Sequence, residues 1–322
     1  MAKVAVGVDI GGTNLRFGLV SDVGAILARK RTAARVVQGP EGVFGRIADG
    51  ISAMLKRAAE DGHVPVGIGL GVPGIISAAE GVVRFSPNLP GWADFPLKGR
   101  AQGRFPLPAV VENDANAYAL GEAWLGSGAG ASSLVCITLG TGVGGGIILG
   151  GDVWRGVDGM AGEVGHLTVN PRGPLCGCGN RGCLERYASA TAVVERAGAA
   201  LVKGSDSTLR AAFDRDPNGL TADMVRDAAE RGDALSAKVY REAGVNLGIA
   251  LSGLINLLNV ERIVIGGGMA GAWDLFIGPL EAEIKKRAFR IPRERCAIVK
   301  AKLGDDAAVL GAAGLVFKSL AK

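Results

Sequence analysis

The fold is decided by residues 3–20, which read K-V-A-V-G-V-D-I-G-G-T-N-L-R-F-G-L-V. A β-strand is predicted for the alternating, Val-rich residues Lys3–Asp9. A turn follows at Gly11–Asn14, and a second strand is predicted for Leu15–Val20. This stretch therefore predicts a hairpin whose turn is built from glycines and a hydroxyl residue.

The same design returns in the second half of the chain. A strand is predicted for Ser133–Leu139, a glycine turn for Gly140–Gly146 and a returning strand for Ile147–Leu149. Two copies of one supersecondary unit indicate an internal duplication. We therefore predict an α/β protein with two lobes, in which the two turns face each other across a cleft.

Strands and helices alternate through the rest of the chain, as expected for this class. The pattern restarts after residue 113, so we place a small lobe at residues 1–113 and a large lobe at residues 114–305. Further strands are predicted at Ala25–Thr32, Val66–Val72, Pro108–Glu112, Arg262–Ile265 and Cys296–Ala301, and helices at Gly42–Glu60, Ala115–Leu125, Thr191–Val202, Thr221–Arg231, Asp233–Leu258, Trp273–Phe289 and Asp306–Leu320.

Composition narrows the functional classes. The chain has 322 residues, 48% of them apolar, which suffices for a sizeable core in two lobes. The net charge is +5 and the basic residues are scattered, which is typical of a solvated surface and not of a nucleic-acid site. Asp9 interrupts the first apolar run, and no stretch reads as a membrane span. We expect a cytoplasmic protein that binds neither nucleic acid nor membrane.

Residues 163–185 hold a cluster of metal-type ligands in the stretch E-V-G-H-L-T-V-N-P-R-G-P-L-C-G-C-G-N-R-G-C-L-E. The candidates are His166, Cys176, Cys178 and Cys183. Three thiols and one imidazole form a tetrahedral zinc site that leaves no position for water, so the metal is predicted to be structural. A disulfide between two of the cysteines is the alternative, and the spacing H-x9-C-x-C-x4-C differs from standard zinc fingers.

Carboxylates stand at both ends of this zinc loop, at Glu163 and Glu185. The loop itself has few apolar side chains with which to fold, so a bound zinc would fix its conformation. We therefore predict that the loop aims Glu163, His166 and Glu185 at a ligand.

Two glycine turns are candidates for phosphate binding. In D-I-G-G-T-N, residues 9–14, glycine N–H groups can approach phosphate oxygens, Thr13 adds a donor, and Asp9 can hold a magnesium–phosphate unit through water. An ordinary hairpin turn is the alternative. The second candidate is L-G-T-G-V-G-G-G, residues 139–146. This stretch contains the pattern G-x-G-x-x-G, as does Gly69–Gly74, but neither match leads into a clear helix, so a Rossmann loop is not expected. The chain has no Gly-Lys pair, which excludes a Walker A loop.

Polar residues also gather where a strand meets a helix, in V-V-E-N-D-A-N-A, residues 110–117. The carboxyl ends of strands are where ligand sites of α/β proteins lie. Asp114 can accept a proton from an attacking hydroxyl there, and an Asx helix cap is the alternative. Farther along, Gly266–Gly268 follows a strand and either lets a flat purine approach the backbone or is a simple turn.

Taken together in chain order, seven short motifs of this sequence resemble those of the ROK family of bacterial sugar kinases and repressors, and they extend over essentially the whole chain. They are D-I-G-G-T-N, P-N-L-P-G-W, E-N-D-A-N, L-G-T-G-V-G-G-G, E-V-G-H, C-G-C-G-N-R-G-C-L-E and G-G-G. The resemblance implies an actin-like ATPase-domain (ribonuclease H-like) fold with a final helix, residues 306–322, that packs on the small lobe. It also implies a homodimer, or a tetramer, that uses ATP, Mg²⁺ and a structural Zn²⁺.

The resemblance further implies phosphorylation of a hexose at its 6-hydroxyl, with Asp114 as the general base. The implied sugar-binding residues are Gly74, Asn88, Asn113, Asp114, Glu163, His166 and Glu185. The implied nucleotide-binding residues are Asp9, Gly11, Gly12, Thr13, Asn14, Thr141, Gly142, Gly266, Gly267 and Gly268. The implied zinc ligands are His166, Cys176, Cys178 and Cys183, with the histidine serving metal and sugar through opposite ring nitrogens.

Glucose is the expected substrate, because the resemblance is strongest to the glucokinases of the family. N-acetylglucosamine, N-acetylmannosamine, mannose and fructose are alternatives, since they differ from glucose at only one or two carbons. The family's repressors carry an N-terminal DNA-binding domain, and with Asp9 in the first ten residues we expect no room for one. A sugar sensor with vestigial activity is a further alternative.

Overall fold

The computed structural model describes residues 1–321, so the last residue of the predicted helix 306–322 lies outside the described part. The strands are β1 (Lys3–Ile10), β2 (Asn14–Ser21), β3 (Ile26–Ala33), β4 (Val64–Val72), β5 (Ile75–Ser77), β6 (Val82–Phe85), β7 (Ala93–Phe95), β8 (Ala109–Asn113), β9 (Leu134–Leu139), β10 (Val143–Leu149), β11 (Asp152–Val153), β12 (Arg262–Gly266) and β13 (Ala297–Lys300). The helices are α1 (Gly39–Glu60), α2 (Leu97–Arg104), α3 (Asp114–Leu125), α4 (Glu185–Ala188), α5 (Ala190–Val202), α6 (Arg210–Arg215), α7 (Ala222–Glu230), α8 (Ala234–Leu258), α9 (Trp273–Arg287), α10 (Arg290–Arg295) and α11 (Ala307–Leu320).

Two five-stranded sheets share one strand order. The first is β3-β2-β1-β4-β8, with β1, β2 and β3 antiparallel and β4 and β8 parallel to β1. The second is β11-β10-β9-β12-β13. When the five strands of each sheet are numbered in chain order, both sheets follow the order 3-2-1-4-5. This identity of order confirms the internal duplication predicted from the two hairpins.

A third, small sheet was not predicted. Its antiparallel strands β5, β6 and β7 lie in the segment between β4 and α2. The strands are only three or four residues long and are separated by Pro and Gly, so no alternating pattern is visible in the sequence. This small sheet ends at Phe95, whose ring stacks on Trp92 at 4.4 Å between centroids.

The closing helix α11 packs against the face of the first sheet through glycines. A Cβ atom at Gly7 of β1 would lie 2.1 Å from the carbonyl oxygen of Val309, and one at Gly69 of β4 would lie 1.9 Å from that of Ala312. Only glycine allows strand and helix backbones to approach so closely. Val309 and Leu310 join a buried cluster with Ala5 of β1.

Helices α3 and α11 make an equally close contact with each other. A Cβ atom at Gly311 would lie 1.7 Å from the carbonyl oxygen of Ala117, and one at Gly121 would lie 2.0 Å from that of Ala307. These oxygens belong to helix backbone, so neither can rotate away from an added methyl group. The position of α3, which begins at Asp114, therefore depends on small residues in α11.

Gly311→Ala is expected to destabilise this half of the protein by about 1–3 kcal/mol, since overpacking forces backbone shifts of that cost. Urea or thermal unfolding measures the change. Gly253→Ala is the matched control, because Gly253 is exposed in α8 and an added Cβ meets no atom within 4 Å. That control should be neutral or stabilising by up to about 1 kcal/mol. Equal stability of the two variants would contradict the prediction.

The chain folds into two compact units. Unit 1 consists of residues Met1–Cys136, Gly146–Gly162 and Lys302–Lys322, and unit 2 of Ile137–Gly145 and Glu163–Ala301. The lobe boundary between residues 113 and 114 stays a prediction. Within residues 1–321, no helix combines the length and the apolar composition that crossing a bilayer requires.

Candidate active site and metal centre

In unit 1, the first glycine turn joins β1 to β2. The Gly11 N–H donates to the carbonyl oxygen of Asn14 at 2.9 Å and closes the turn. A Cβ atom at Gly12 would lie 2.8 Å from the carbonyl oxygen of Asn88, so the turn and the P-N-L-P segment are in contact. Thr13, at the tip of the turn, is exposed. The residue types at this tip suit a phosphate group.

Asp9 is the next-to-last residue of β1, close to this turn, and is only 8% exposed. Its carboxylate accepts from Arg16 at 2.9 Å, and Arg16 also contacts Asp305 at 3.2 Å. Burial raises the pKa of Asp9 above its ordinary value, and the neighbouring Arg16 guanidinium opposes that shift. A carboxylate oxygen is the hard ligand that Mg²⁺ prefers, so the residue type fits the predicted magnesium role.

The E-N-D-A-N motif forms the junction between β8 and α3. Asn113 caps the helix, because its Oδ1 accepts from the N–H groups of Ala115 at 2.9 Å and Asn116 at 3.2 Å. Its Nδ2 donates to the carbonyl oxygen of Gly74 at 3.2 Å. Asn113 and Gly74, two predicted sugar-binding residues of unit 1, are therefore hydrogen-bonded to each other.

Gly74 requires glycine at this junction. Its φ of 117° lies in the left-handed region, and a Cβ atom would lie 2.2 Å from the carbonyl oxygen of Phe85. Asp114 follows the cap as the first residue of α3, half-buried, and its Oδ1 accepts from the Ala115 N–H at 2.9 Å. The positive end of the helix dipole favours a negative charge at this position, which suits a proton acceptor.

In unit 2, the second glycine turn is tied to the end of the zinc loop. Glu185 accepts from the Val143 N–H through Oε2 at 3.0 Å, and a Cβ atom at Gly142 would lie 2.3 Å from that oxygen. Thr191 donates to the carbonyl oxygen of Thr141 at 2.8 Å. In the sequence the phosphate turn and Glu185 belong to separate motifs, whereas the structure joins them.

A cavity of about 250 Å³ opens beside the same turn. Its wall includes two residues predicted for nucleotide binding, Thr141 and Gly268. Gly267, which precedes Gly268, has a φ of 85°, in the left-handed region that favours glycine. Sequence reasoning missed the helical part of its wall, because those residues carry no motif. The lining residues are Gly140, Thr141, Ala190, Ala222, Asp223, Arg226, Tyr240, Gly268, Met269 and Ala272.

The four predicted zinc ligands converge in unit 2. Their donor atoms all lie within 4.8 Å of one another. The Cys176 Sγ is 3.7 Å from the His166 Nδ1, and the Cys178 Sγ is 3.7 Å from the Cys183 Sγ. Tetrahedral zinc with Zn–S bonds of about 2.3 Å places sulfurs about 3.8 Å apart, so the geometry fits the metal. All five cysteines lie in the described chain as free thiols, and the Cys178 and Cys183 sulfurs, 3.7 Å apart, do not form a disulfide in this structure.

Electrostatics at this cluster also favour a cation. Burial, with the sulfurs of Cys178 and Cys176 nearby, raises the pKa of Cys183 to about 12. A bound dication is the partner that lets several thiolates lie this close together. The loop gains little from apolar packing, since its side chains Leu167 and Leu175 are exposed. The residues present therefore fit a structural zinc.

His166 connects this cluster to a predicted sugar ligand. Its Nδ1 faces Cys176, whereas its Nε2 lies 3.9 Å from the Glu163 carboxylate. The two ring nitrogens thus face different groups, and the prediction that one serves the metal and the other the sugar stays a prediction. A metal on one nitrogen fixes the ring and leaves the other nitrogen to a ligand.

Comparison with known proteins matches the chain to the ROK family model over residues 5–319. A glucokinase of Halalkalibacterium halodurans is 41% identical over 315 residues, which cover 97% of this chain and 94% of that protein. A solved ROK family glucokinase from Streptomyces griseus, in complex with glucose and AMPPNP, superposes with a TM-score of 0.81 at 35% identity and covers 98% of this chain and 99% of its own.

A ROK family transcriptional regulator, a homologue of the E. coli MLC protein, has a TM-score of 0.89 at 27% identity. It covers 99% of this chain, which in turn covers 79% of the regulator. Together with the strand order, the superpositions confirm the predicted α/β fold of the actin-like ATPase type.

Proposed function

The chain belongs to the ROK family, and from this premise we propose that it transfers the γ-phosphoryl group of ATP to the 6-hydroxyl of glucose. The observation that carries this function is the similarity to glucokinases along almost the full length of both chains. The E-N-D-A-N junction supports it, because it places a carboxylate at a helix N-terminus beside the capping Asn113.

The proposed reaction is a single displacement at phosphorus. Asp114 accepts the proton of the 6-hydroxyl as its oxygen forms a bond to the γ-phosphorus, and the bond from that phosphorus to the β,γ-bridging oxygen breaks to release ADP. Proton acceptance by a positioned carboxylate contributes roughly 10²–10⁴ to the rate. Asp9 would hold the Mg²⁺ that accompanies ATP, and that ion would neutralise phosphate charge.

The remaining predicted residues receive binding roles in this proposal. The sugar is held by Gly74, Asn88, Asn113, Glu163, His166 and Glu185. The phosphates are held by Gly11, Gly12, Thr13, Asn14, Thr141 and Gly142, with Asp9 toward the magnesium ion and Gly266, Gly267 and Gly268 toward the adenosine. Contacts within each unit support these roles. Asn113 bonds to Gly74 within the sugar group, and in each unit one sugar residue contacts a phosphate turn: Asn88 contacts Gly12, and Glu185 bonds to the turn of Thr141 and Gly142.

We extend the proposal to assembly and location. A homodimer is expected from the family resemblance, with a tetramer as the alternative, and light scattering of the purified protein separates the two. A cytoplasmic location is supported by the substrate, since ATP is made there, and by the free thiols of the metal centre, which persist in reducing compartments.

A sugar panel tests the function. ADP release from ATP and Mg²⁺ is measured with glucose, N-acetylglucosamine, N-acetylmannosamine, mannose and fructose. Glucose is expected to give the highest kcat/KM. A different leading sugar would keep the kinase and change its substrate, because one hydroxyl or acetamido group decides such discrimination.

A regulator is the second candidate, favoured by the TM-score of 0.89 to a solved transcriptional regulator. Its signature is DNA binding whose affinity falls steeply with salt. A gel-shift titration at two salt concentrations, beside the sugar panel, separates the candidates. Salt-dependent DNA binding without turnover of any sugar would replace the kinase proposal.

A further inference from the structure

A buried carboxylate lies directly before the proposed catalytic residue. Glu112, in β8, is only 2% exposed. Its Oε1 accepts from the Asn113 N–H at 3.1 Å and from the Asn116 Nδ2 at 3.1 Å. These two donors stand on either side of Asp114 in the chain. The Glu112 side chain therefore anchors the turn that contains Asp114 on both sides of that residue.

The other carboxylate oxygen belongs to an ion pair with an arginine from a distant part of unit 1. The Glu112 Oε2 accepts from the Nε of Arg155 at 2.7 Å and lies 2.7 Å from its Nη2. A planar guanidinium that offers two donors to one carboxylate is a strong and directional partner. Arg155 is thus the cation that compensates the buried charge of Glu112.

Arg155 is itself held in place by the backbone around it. Its carbonyl oxygen accepts from the Ala161 N–H at 3.1 Å, and its Nη1 reaches the carbonyl oxygen of Val153 at 3.5 Å. Arg155 therefore lies at the base of the loop 155–161, which its backbone hydrogen bond with Ala161 closes. This loop ends two residues before Glu163, a predicted sugar ligand.

We propose that Arg155 is a positioning residue for phosphoryl transfer: through its ion pair with Glu112 it fixes the turn that presents Asp114. The inference rests on the proposed function of Asp114 as the base. Arg155 acts through Glu112 and has no role in proton transfer itself. Its specific consequence is that turnover depends on Arg155 more than substrate binding does.

Physical reasoning gives the direction of the effect. Without Arg155, the buried Glu112 carboxylate keeps its hydrogen bonds from the Asn113 N–H and the Asn116 amide but loses its cationic partner. A buried charge without its partner is strongly unfavourable. The carboxylate then draws in water or turns toward solvent, and it releases the Asn113 N–H and the Asn116 amide. A shift of about 1 Å at a reacting group can lower the rate by about 10²-fold.

The test compares Arg155→Ala with wild type in the glucose assay. The expected result is a fall in kcat of about 100-fold with KM for glucose and ATP within about threefold. Arg155→Lys should recover part of the loss, and guanidinium at low millimolar concentration should raise the kcat of Arg155→Ala. Arg57→Ala is the matched control, since its ion pair with Asp61 is exposed, and it should behave as wild type.

A double variant keeps the inference testable if Arg155→Ala folds poorly. In Arg155→Met with Glu112→Gln, the buried charge is gone and the Gln oxygen still accepts from the Asn113 N–H. This variant should melt near the wild-type temperature and regain at least tenfold of the lost kcat, since removal of both partners of a buried pair is tolerated better than removal of one. If the double variant has the same low kcat as Arg155→Ala, the proposal that Arg155 acts through Glu112 is wrong.

The outcomes distinguish the two proposals. If wild type does not phosphorylate glucose, the proposed function fails whatever the variants do. If wild type turns over and folded Arg155→Ala matches Arg57→Ala in kcat, the positioning role alone is wrong. A parallel loss of kcat and melting temperature that guanidinium does not reverse would assign Arg155 to stability and overturn the inference as well.

Discussion

Asp114→Asn is expected to lower the kcat for glucose phosphorylation by roughly 10²–10⁴-fold and to leave the affinity for glucose nearly unchanged. Asparagine has the shape of aspartate and retains a side-chain oxygen, so the hydrogen bond from the Ala115 N–H at 2.9 Å can persist. The amide cannot accept the proton of the 6-hydroxyl. Binding survives because asparagine can still hydrogen-bond to the sugar and the other predicted sugar ligands are unchanged.

Two measurements on the same preparation check this expectation. Steady-state ADP release gives kcat, and titration calorimetry gives the dissociation constant of glucose. Asp94→Asn is a suitable control, because Asp94 is exposed with a φ of 49°, a conformation that asparagine also adopts. Near-normal kcat in Asp114→Asn would remove Asp114 from the role of base.

The strands and helices that flank the site could be predicted because their apolar residues repeat with clear periods. The hairpin of β1 and β2, the helix α3 and the long helix α8 all lie within one or two residues of their predicted bounds. The predicted extent of the return strand in the second hairpin was wrong. It begins at Val143, whereas Val143–Gly146 was predicted to be turn.

The physical reason for that error lies in the three glycines of β10. Glycine carries no side chain and so gives no alternating pattern, but the ladder needs only backbone groups. At Gly146 an added Cβ would lie 2.7 Å from the Ala119 Cβ and 2.8 Å from the Ala115 carbonyl oxygen. The glycine is therefore required for close packing of the strand on α3, a constraint that is invisible in the sequence.

The site was predictable where one short motif carries a whole function. The metal cluster is such a case, because three thiols and one imidazole in one short loop are a ligand set typical of structural zinc. The Glu112–Arg155 pair was not predictable: its members are 43 residues apart, and Arg155 belongs to no motif. The helical wall of the 250 Å³ cavity was missed for the same reason, since only the fold brings Arg226 and Tyr240 to Thr141.

Loss of the zinc is expected to abolish glucose binding while most of the chain stays folded. Structural zinc contributes on the order of 10 kcal/mol to folding in isolated zinc modules. Here the ligands close a loop that is attached to a folded unit, so the loss is local. His166 is itself a ligand and Glu185 follows Cys183 by two residues, so both predicted sugar ligands lose their anchor.

Cys183→Ser tests this expectation, since Cys183 is fully buried in the cluster. Wild type should contain one equivalent of zinc per chain by elemental analysis, and the variant far less. The affinity for glucose should fall by at least 100-fold, and limited proteolysis should cut the variant within residues 167–182, where the loop no longer has its metal. Cys296→Ser, a buried thiol outside the cluster, should retain zinc and glucose affinity.

The two readouts test separate parts of this prediction. Zinc content reports the metal centre whether or not the protein is a kinase, and glucose affinity reports the link from the metal to the sugar through His166 and Glu185. Wild type without zinc would show that four converging donors are not a metal site. Wild type with zinc, beside a Cys183→Ser variant that binds glucose normally, would show that the loop holds its shape through the hydrogen bonds at Asn170, Cys176 and Gly182 alone. We expect neither of these outcomes, because a few backbone hydrogen bonds in an exposed loop contribute far less than zinc coordination.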